Sequence, residues 1–335
     1  MASKSPKTLR GRIGMVIYGV IAATTTIAAV IFSIQSASAG NDLRSNLTYI
    51  APAGVGGGWD SFAREQQQAM RGAGVVNNVQ VVNIPGAGGT IGLSSFVTMT
   101  GDPTTVMATG TAMLGGIELN DSPVDLTDVR PIARVAEDYD AIVVNADSPY
   151  QTIDDLVNAW SGDPGGLVWT GGSAGSIDHL IIAALAKESE LDPSEITFIP
   201  KSGGGEAIQT LLAGTTDVAV TGYNEIADQV ESGRIRALAI SAPQRIDGVD
   251  LPTLTEAGYD VDLVNWRGVL AAPGITDEQF AELTQIITET RDSPEWQDAL
   301  ARNRWVDSFL TGPELETFIA EDQQAIAELV DSLGL

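Results

Sequence analysis

Four glycine-rich stretches in this chain each run into what reads as the start of a helix. They are Gly54-Val55-Gly56-Gly57-Gly58, Gly86-Ala87-Gly88-Gly89, Gly171-Gly172-Ser173-Ala174-Gly175 and Gly203-Gly204-Gly205. A helix N-terminus leaves its first backbone amides unpaired and carries the positive end of the helix dipole, so it attracts anions. Glycine lets the backbone approach a ligand closely and take positive φ values. One such loop can serve turn geometry alone. Several meeting in one cleft would make an anion site without any cationic surface. Nucleotide fingerprints fail on inspection: Trp59 and Ile91 stand where G-x-G-x-x-G needs its last glycine. No loop carries G-K-[ST], which excludes a P-loop.

The third loop also matches the G-x-S-x-G elbow of hydrolases, with Ser173 as nucleophile and a strand-to-helix position as that motif requires. An exported hydrolase using Ser173 is therefore the alternative function. It is disfavoured by the single histidine, His179, which follows Ser173 by six residues on the same expected helix. Elbow triads place their histidine far downstream, after the acid. Absence of cysteine excludes disulfides and thiolate metal sites, and one histidine leaves no usual zinc site; no cofactor is expected. The acidic groups Glu137, Asp138 and Asp140, and Asp154 with Asp155, read as solvated faces.

The elements that position these loops alternate in type. Short apolar runs at 47–50, 79–82, 106–109, 167–169 and 196–199 read as strands, each followed by a loop and a helix, a spacing that predicts an α/β fold on parallel sheets. Capping boxes at Thr152/Asp155, Thr276/Gln279 and Thr311/Glu314 mark further helix starts, and Ser293-Pro294 places proline at the first helical position. No linker divides the chain. The strands 141–145 and 236–240 are expected to pass between two lobes, lobe 1 comprising 43–143 and 243–335 and lobe 2 comprising 144–242.

The first 39 residues read as an export signal or N-terminal anchor. Lys4, Lys7, Arg10 and Arg12 precede a charge-free apolar run over 14–34, and Ala37-Ser38-Ala39 supplies the small residues of a cleavage site. The run approaches bilayer-spanning length, so tethering by an uncleaved segment stays open. The expected location is periplasmic, cell-surface or extracellular. Removing the four leader cations takes the formal charge from −26 to about −30. Such a surface repels nucleic acid and anionic lipid. A monomer is expected.

At the glycine loops the sequence resembles the solute receptors of tripartite tricarboxylate transporters, the Bug receptors. The matching segments are 52–60 (PAGVGGGWD), 83–92 (NIPGAGGTIG), 171–179 (GGSAGSIDH), 199–205 (IPKSGGG), 233–239 (GRIRALA), 251–258 (LPTLTEAG), and 265–268 (NWRG) followed by 272–274 (APG). Their order and spacing extend the resemblance over residues 47–335. It implies a type II periplasmic-binding-protein-like α/β fold, with two lobes and a ligand cleft between them. It implies capture of a di- or tricarboxylate, citrate-like, for delivery to the membrane components of such a transporter, and no catalysis. The donors it implies are Gly56, Gly57, Gly58, Trp59 and Asp60 in lobe 1, and Ser173, Ala174, Gly175, Ser176 and His179 in lobe 2. Trp59 with Asn265-Trp266-Arg267 resembles the tricarboxylate branch. Arg267 reads either as a bidentate clamp on a carboxylate or as half of a surface ion pair. Trp59, Trp169 and Trp266 are candidates to line the cleft, Tyr223 is a further ligand candidate, and Lys201 reads as a ligand or a loop cap. At the start of its helix, His179 is expected to have its pKa lowered by the dipole.

Overall fold

The computed structural model describes residues 42–334 apart from 202 and 247; the basic leader and the cleavage point after Ala39 lie outside the described residues. The chain opens with β1 (Asn46–Ala51), followed by α1 (Gly58–Gly72). Phe62, Ala63, Gln66, Ala69 and Met70 are the buried positions of α1 beyond its first turn, the 3.6-residue stripe of a helix laid on a sheet. β2 (Asn78–Asn83), α2 (Thr90–Val97), β3 (Thr105–Gly110) and α3 (Thr111–Leu119) continue the alternation. β4 (Arg130–Asp138) and β5 (Asp140–Asn145) are separated only by Tyr139, and there the chain leaves one sheet for another.

The second sheet is completed by β6 (Val168–Gly171), β7 (Thr197–Pro200), β8 (Val218–Gly222) and β9 (Ile235–Ile240). Between these strands come α4 (Ile153–Gly162) before β6, α5 (Ile177–Glu188), α6 (Gly204–Leu212) and α7 (Tyr223–Glu231). The chain then returns to the first sheet through β10 (Asn265–Ala271), α8 (Asp277–Arg291), α9 (Pro294–Asn303), β11 (Val306–Thr311) and α10 (Gly312–Ser332). The sheet orders are β11-β4-β10-β3-β1-β2 and β7-β6-β8-β5-β9.

The sheets are mixed where sequence spacing predicted parallel ones. β1 pairs parallel with β2 and β3, and β6 with β7 and β8. β10 runs antiparallel to β3 and β4, and β5 antiparallel to β8 and β9. The antiparallel strands are the ones that enter and leave each sheet without a crossover helix, so nothing forces them parallel. Each sheet has its own aromatic packing. Phe62 meets Tyr49, Trp296 and Trp305 edge-on in the first, and Trp160 lies 4.7 Å from Trp169 in the second. Helix α10 touches both α3 and α5, and so links the two halves.

The capping boxes form at Thr152/Asp155 and Thr276/Gln279, and Ser293 accepts from the Trp296 amide. Thr311 makes no side-chain cap bond. Gly312 there has a φ of 62° and Pro313 has no amide to give, so the helix starts on backbone geometry.

Candidate functional site

Between the two sheets lies a cleft of about 560 Å³. One wall is the loop joining β1 to α1. Asp60, buried in the first turn of α1, accepts from the Gly56 amide (2.8 Å), Arg64 Nε (2.9 Å) and Asn83 Nδ2 (2.8 Å). Asn83 also donates to the Ala53 carbonyl, which ties the loop to the end of β2. Burial pushes the Asp60 carboxyl up, but the bonds from Arg64, Gly56 and Asn83 outweigh it and hold the pKa below the usual range. Gly57 is the N-cap and offers no side-chain oxygen, so the first amides of α1 have no cap at the cleft edge. Gly58 has a specific reason to be glycine: a Cβ there would stand 2.7 Å from Arg267 Nη1.

The facing wall is the loop joining β6 to α5. Ser176 is the N-cap of α5, and its hydroxyl is buried without a partner. Asp178 instead reaches back to accept from the Gly172 amide, and the Lys201 amide donates to the Gly171 and Gly172 carbonyls. Lys201 thus caps the loop through its backbone. Gly203 and Gly204, at the start of α6, and Gly222, before α7, border the same space, as does the loop 85–89.

The structure brings together part of the residue set expected from sequence. Gly57, Gly58, Trp59, Ser173, Ser176 and Arg267 line the cleft. Gly56, with φ 84°, and Asp60 lie behind them and shape the loop. Gly175, at φ 73°, is wedged against Leu119, and Ala174 faces a smaller cavity of about 180 Å³. His179 lines that second cavity too. Its ring stacks on Phe198 at 4.0 Å, and its Nδ1 accepts from the Gly175 amide at 3.2 Å. Burial lowers the His179 pKa to about 4, in the direction expected, though desolvation rather than the helix dipole is the cause. Tyr223, at the start of α7, packs against Tyr139 and its neighbours. Of the three tryptophans, Trp59 borders the cleft. Trp169 is core, and Trp266 is buried with its indole N–H on Asp322 at 2.6 Å.

Arg267 is an ion pair, but a buried one: Nη2 meets Asp138 Oδ2 at 2.6 Å, and both side chains are nearly inaccessible. This corrects the reading of Asp138 and Asp140 as solvated. They are 2% and 1% exposed, because they flank the point where one buried strand passes from sheet to sheet. Sequence reasoning also missed Asp178 and Glu225, which line the cleft with them. The available signal was Asp138-Tyr139-Asp140 running straight into the apolar strand 141–144. Burial, and then repulsion from Asp178, pushes the Asp140 carboxyl well up. Asp178 is raised by burial, and Glu225, although in part exposed to solvent, is raised to about 6, first by loss of hydration among the surrounding walls of the cleft and then by Asp178.

Two α/β halves, joined where strands pass between sheets and meeting across a polar cleft, define a solute-binding protein of the periplasmic type. The profile of the tripartite tricarboxylate transporter family receptors, TctC, matches residues 62–335, and the chain belongs to that family. Its members are periplasmic solute-binding receptors and not enzymes, which removes the hydrolase alternative. The chain is 25% identical to the protein BugT of Bordetella pertussis over 326 residues, 96% of this chain and 97% of BugT. A TctC solute-binding protein from Polaromonas superposes with a TM-score of 0.70 at 26% identity, covering 86% of this chain and 99% of that one. MatC from Rhodopseudomonas palustris, solved with bound malate, superposes with a TM-score of 0.73 at 21% identity, covering 85% and 99%. Among the described residues no helix is long and apolar enough to cross a membrane.

Proposed function

We propose that this chain captures a di- or tricarboxylate of the citrate class outside the cytoplasm and delivers it to the membrane components of a tripartite tricarboxylate transporter. The observation that carries this reading is the meeting of the N-termini of α1, α5 and α6 with Arg267 around one cleft. Gly57, Gly58, Trp59, Ser173, Ser176 and Arg267 supply the contacts. Gly56, Asp60, Ala174 and Gly175 hold the loops that present them. Micromolar affinity needs about −8 kcal/mol. Hydrogen bonds to a charged carboxylate contribute roughly 1.5–3 kcal/mol each, so a handful on two carboxylates suffices after ordering costs. Malate in the related MatC supports a small polar acid as ligand.

The lobes, 43–143 with 243–335 against 144–242, close on the ligand, and the receptor works as a monomer, either cleaved after Ala39 or tethered by its uncleaved leader. Intact mass of exported material separates these two forms. A thermal-shift screen tests ligand class, because a ligand bound only by the folded state raises the melting temperature. Citrate, malate or a related polycarboxylate is expected to raise it. A screen in which only neutral sugars do so overturns the reading.

A further inference from the structure

The loop 172–176 has two sides. Gly172, Ser173 and Ser176 line the cleft, while Ala174 lines the second cavity, of about 180 Å³. The other walls of that cavity come from α5 through His179, the turn 193–195, β7 through Phe198, and Leu333 just after α10. None of its lining residues is Asp, Glu, Lys or Arg, and Ile196, Phe198 and Leu333 make much of it apolar. Ser194 and Pro200 are exposed at its edge, so the cavity opens to solvent on a face that the cleft does not share.

One buried polar group in it has no partner. His179 is 5% exposed, and its Nδ1 accepts from the Gly175 amide, which places the ring's proton on Nε2. The Gly175 bond is the only one the imidazole makes among the described residues, so the Nε2–H has no acceptor there. Phe198 stacks on the ring at 4.0 Å with the planes 6° apart, which holds the imidazole edge where it is. A buried donor without an acceptor is unfavourable, and one fixed in the wall of an open cavity is matched by an acceptor that enters.

The acceptor's chemistry follows from the walls. An anion would lose its hydration against apolar surface and gain no counter-charge from a neutral imidazole. An ordered internal water makes about three hydrogen bonds. The side chains here offer one N–H and the lone pair of Ser194, whose proton is already given to Asp192. An apolar cavity of about 150 Å³ takes up benzene. The present one therefore has room for a six-membered ring and one substituent.

We propose that this cavity is a second ligand site, separate from the cleft, for a small uncharged ring compound carrying one oxygen acceptor. His179 Nε2–H donates to that oxygen, and the ring lies among Ile196, Phe198 and Leu333. The site does not depend on what the cleft binds.

His179 is the only histidine of the chain, so in tag-free protein its imidazole gives one set of signals in a long-range proton–nitrogen correlation spectrum. Phenol is the probe. At pH 7 it is expected to shift the His179 Nε2 resonance in a saturable titration, and benzoate, the same ring with a charge, is expected to bind about tenfold more weakly or not at all. Ser194→Trp places a large side chain at the mouth of the cavity from an exposed position. That variant is expected to melt with the parent and to lose the phenol response. An Nε2 resonance unmoved by phenol overturns the proposal. So does a response that survives in Ser194→Trp, which would put phenol elsewhere, and so does benzoate binding as tightly as phenol. None of these outcomes touches the carboxylate-receptor reading, whose own test is the polycarboxylate thermal shift.

Discussion

Arg267 Nη2 donates to Asp138 Oδ2 at 2.6 Å across the neighbouring strands β10 and β4, and the other Asp138 oxygen has no partner. The same guanidinium lies against Gly58 at the start of α1 and 5.5 Å from the Trp305 ring centroid. One side chain therefore joins the ligand loop, two interior strands of the first sheet and the cleft. Removing one partner of a buried pair leaves the other charge uncompensated, which costs about 3–5 kcal/mol. Arg267→Ala is expected to lose stability of that order in urea denaturation. The double variant with Asp138→Asn is expected to recover part of the loss, because it removes the stranded charge. A double variant less stable than Arg267→Ala alone would show that Asp138 is held by something other than this arginine.

Gly115 in α3 touches the loop of the opposite half: a Cβ there would stand 2.3 Å from the Gly175 carbonyl oxygen. The clashing atom is backbone, so it cannot turn aside as a side chain would. Gly115→Ala is expected to cost about 1–3 kcal/mol, the range of overpacking, and to weaken ligand binding by displacing the loop 173–176. Gly205→Ala is the control. Nothing lies within 4 Å of a Cβ at that helical position, and alanine is expected to be neutral or stabilising there by about 0.5–1 kcal/mol. Melting temperatures and ligand titrations of the two variants check the contrast.

Glu225 gives a pH signature. Its folded pKa, about 6, lies above its unfolded value, so ionising it opposes folding. The penalty is absent below the unfolded pKa, where both states are protonated, and grows as pH rises from about 4.5 to 6. Glu225→Gln is therefore expected to melt higher than the parent at pH 7 and at the same temperature at pH 4. Equal melting temperatures at both would mean that the carboxyl is fully solvated.

The alternation of strands and glycine loops was legible in the sequence because each loop interrupts an apolar run and ends at a capped or glycine-led helix. That patterning is local. The orientation of β4, β5 and β10 was not legible, since strand direction depends on which sheet a strand joins, and the apolar runs say nothing of that. The loop residues 57–59, 173 and 176 border the cleft for local reasons as well, each standing at a strand-to-helix turn. Asp140 was read as solvated, and Asp178 and Glu225 escaped notice, because the three are 38 and 47 residues apart in sequence and gather only when β5, α5 and α7 converge. An acid at the start of a strand or helix looks like solvated surface until the opposite wall is in place.

His179 separates its structural role from any ligand role. Its ring is buried, stacked on Phe198, and bonded through Nδ1 to the Gly175 amide, so it must be neutral to accept that bond. Its folded pKa of about 4 is below the unfolded value near 6.5. The unfolded chain therefore binds the proton more readily, and stability rises with pH through this window. The contribution is fully present above pH 6.5 and is lost as pH falls towards 4, by roughly 3 kcal/mol in all. The total acid response also contains the carboxyls, which act in both senses, so the informative quantity is the difference between parent and His179→Gln. Glutamine can still accept from the Gly175 amide but does not titrate. The parent is expected to lose stability relative to the variant steadily from pH 6.5 to 4, by chemical denaturation at each pH. The two are expected to run parallel above pH 7, and ligand affinity at pH 7 is expected to change less than threefold. A His179→Gln variant that tracks the parent across the acid range would mean that the imidazole is as solvated as in the unfolded chain. A large loss of affinity at neutral pH would move His179 from the loop's support into the binding site.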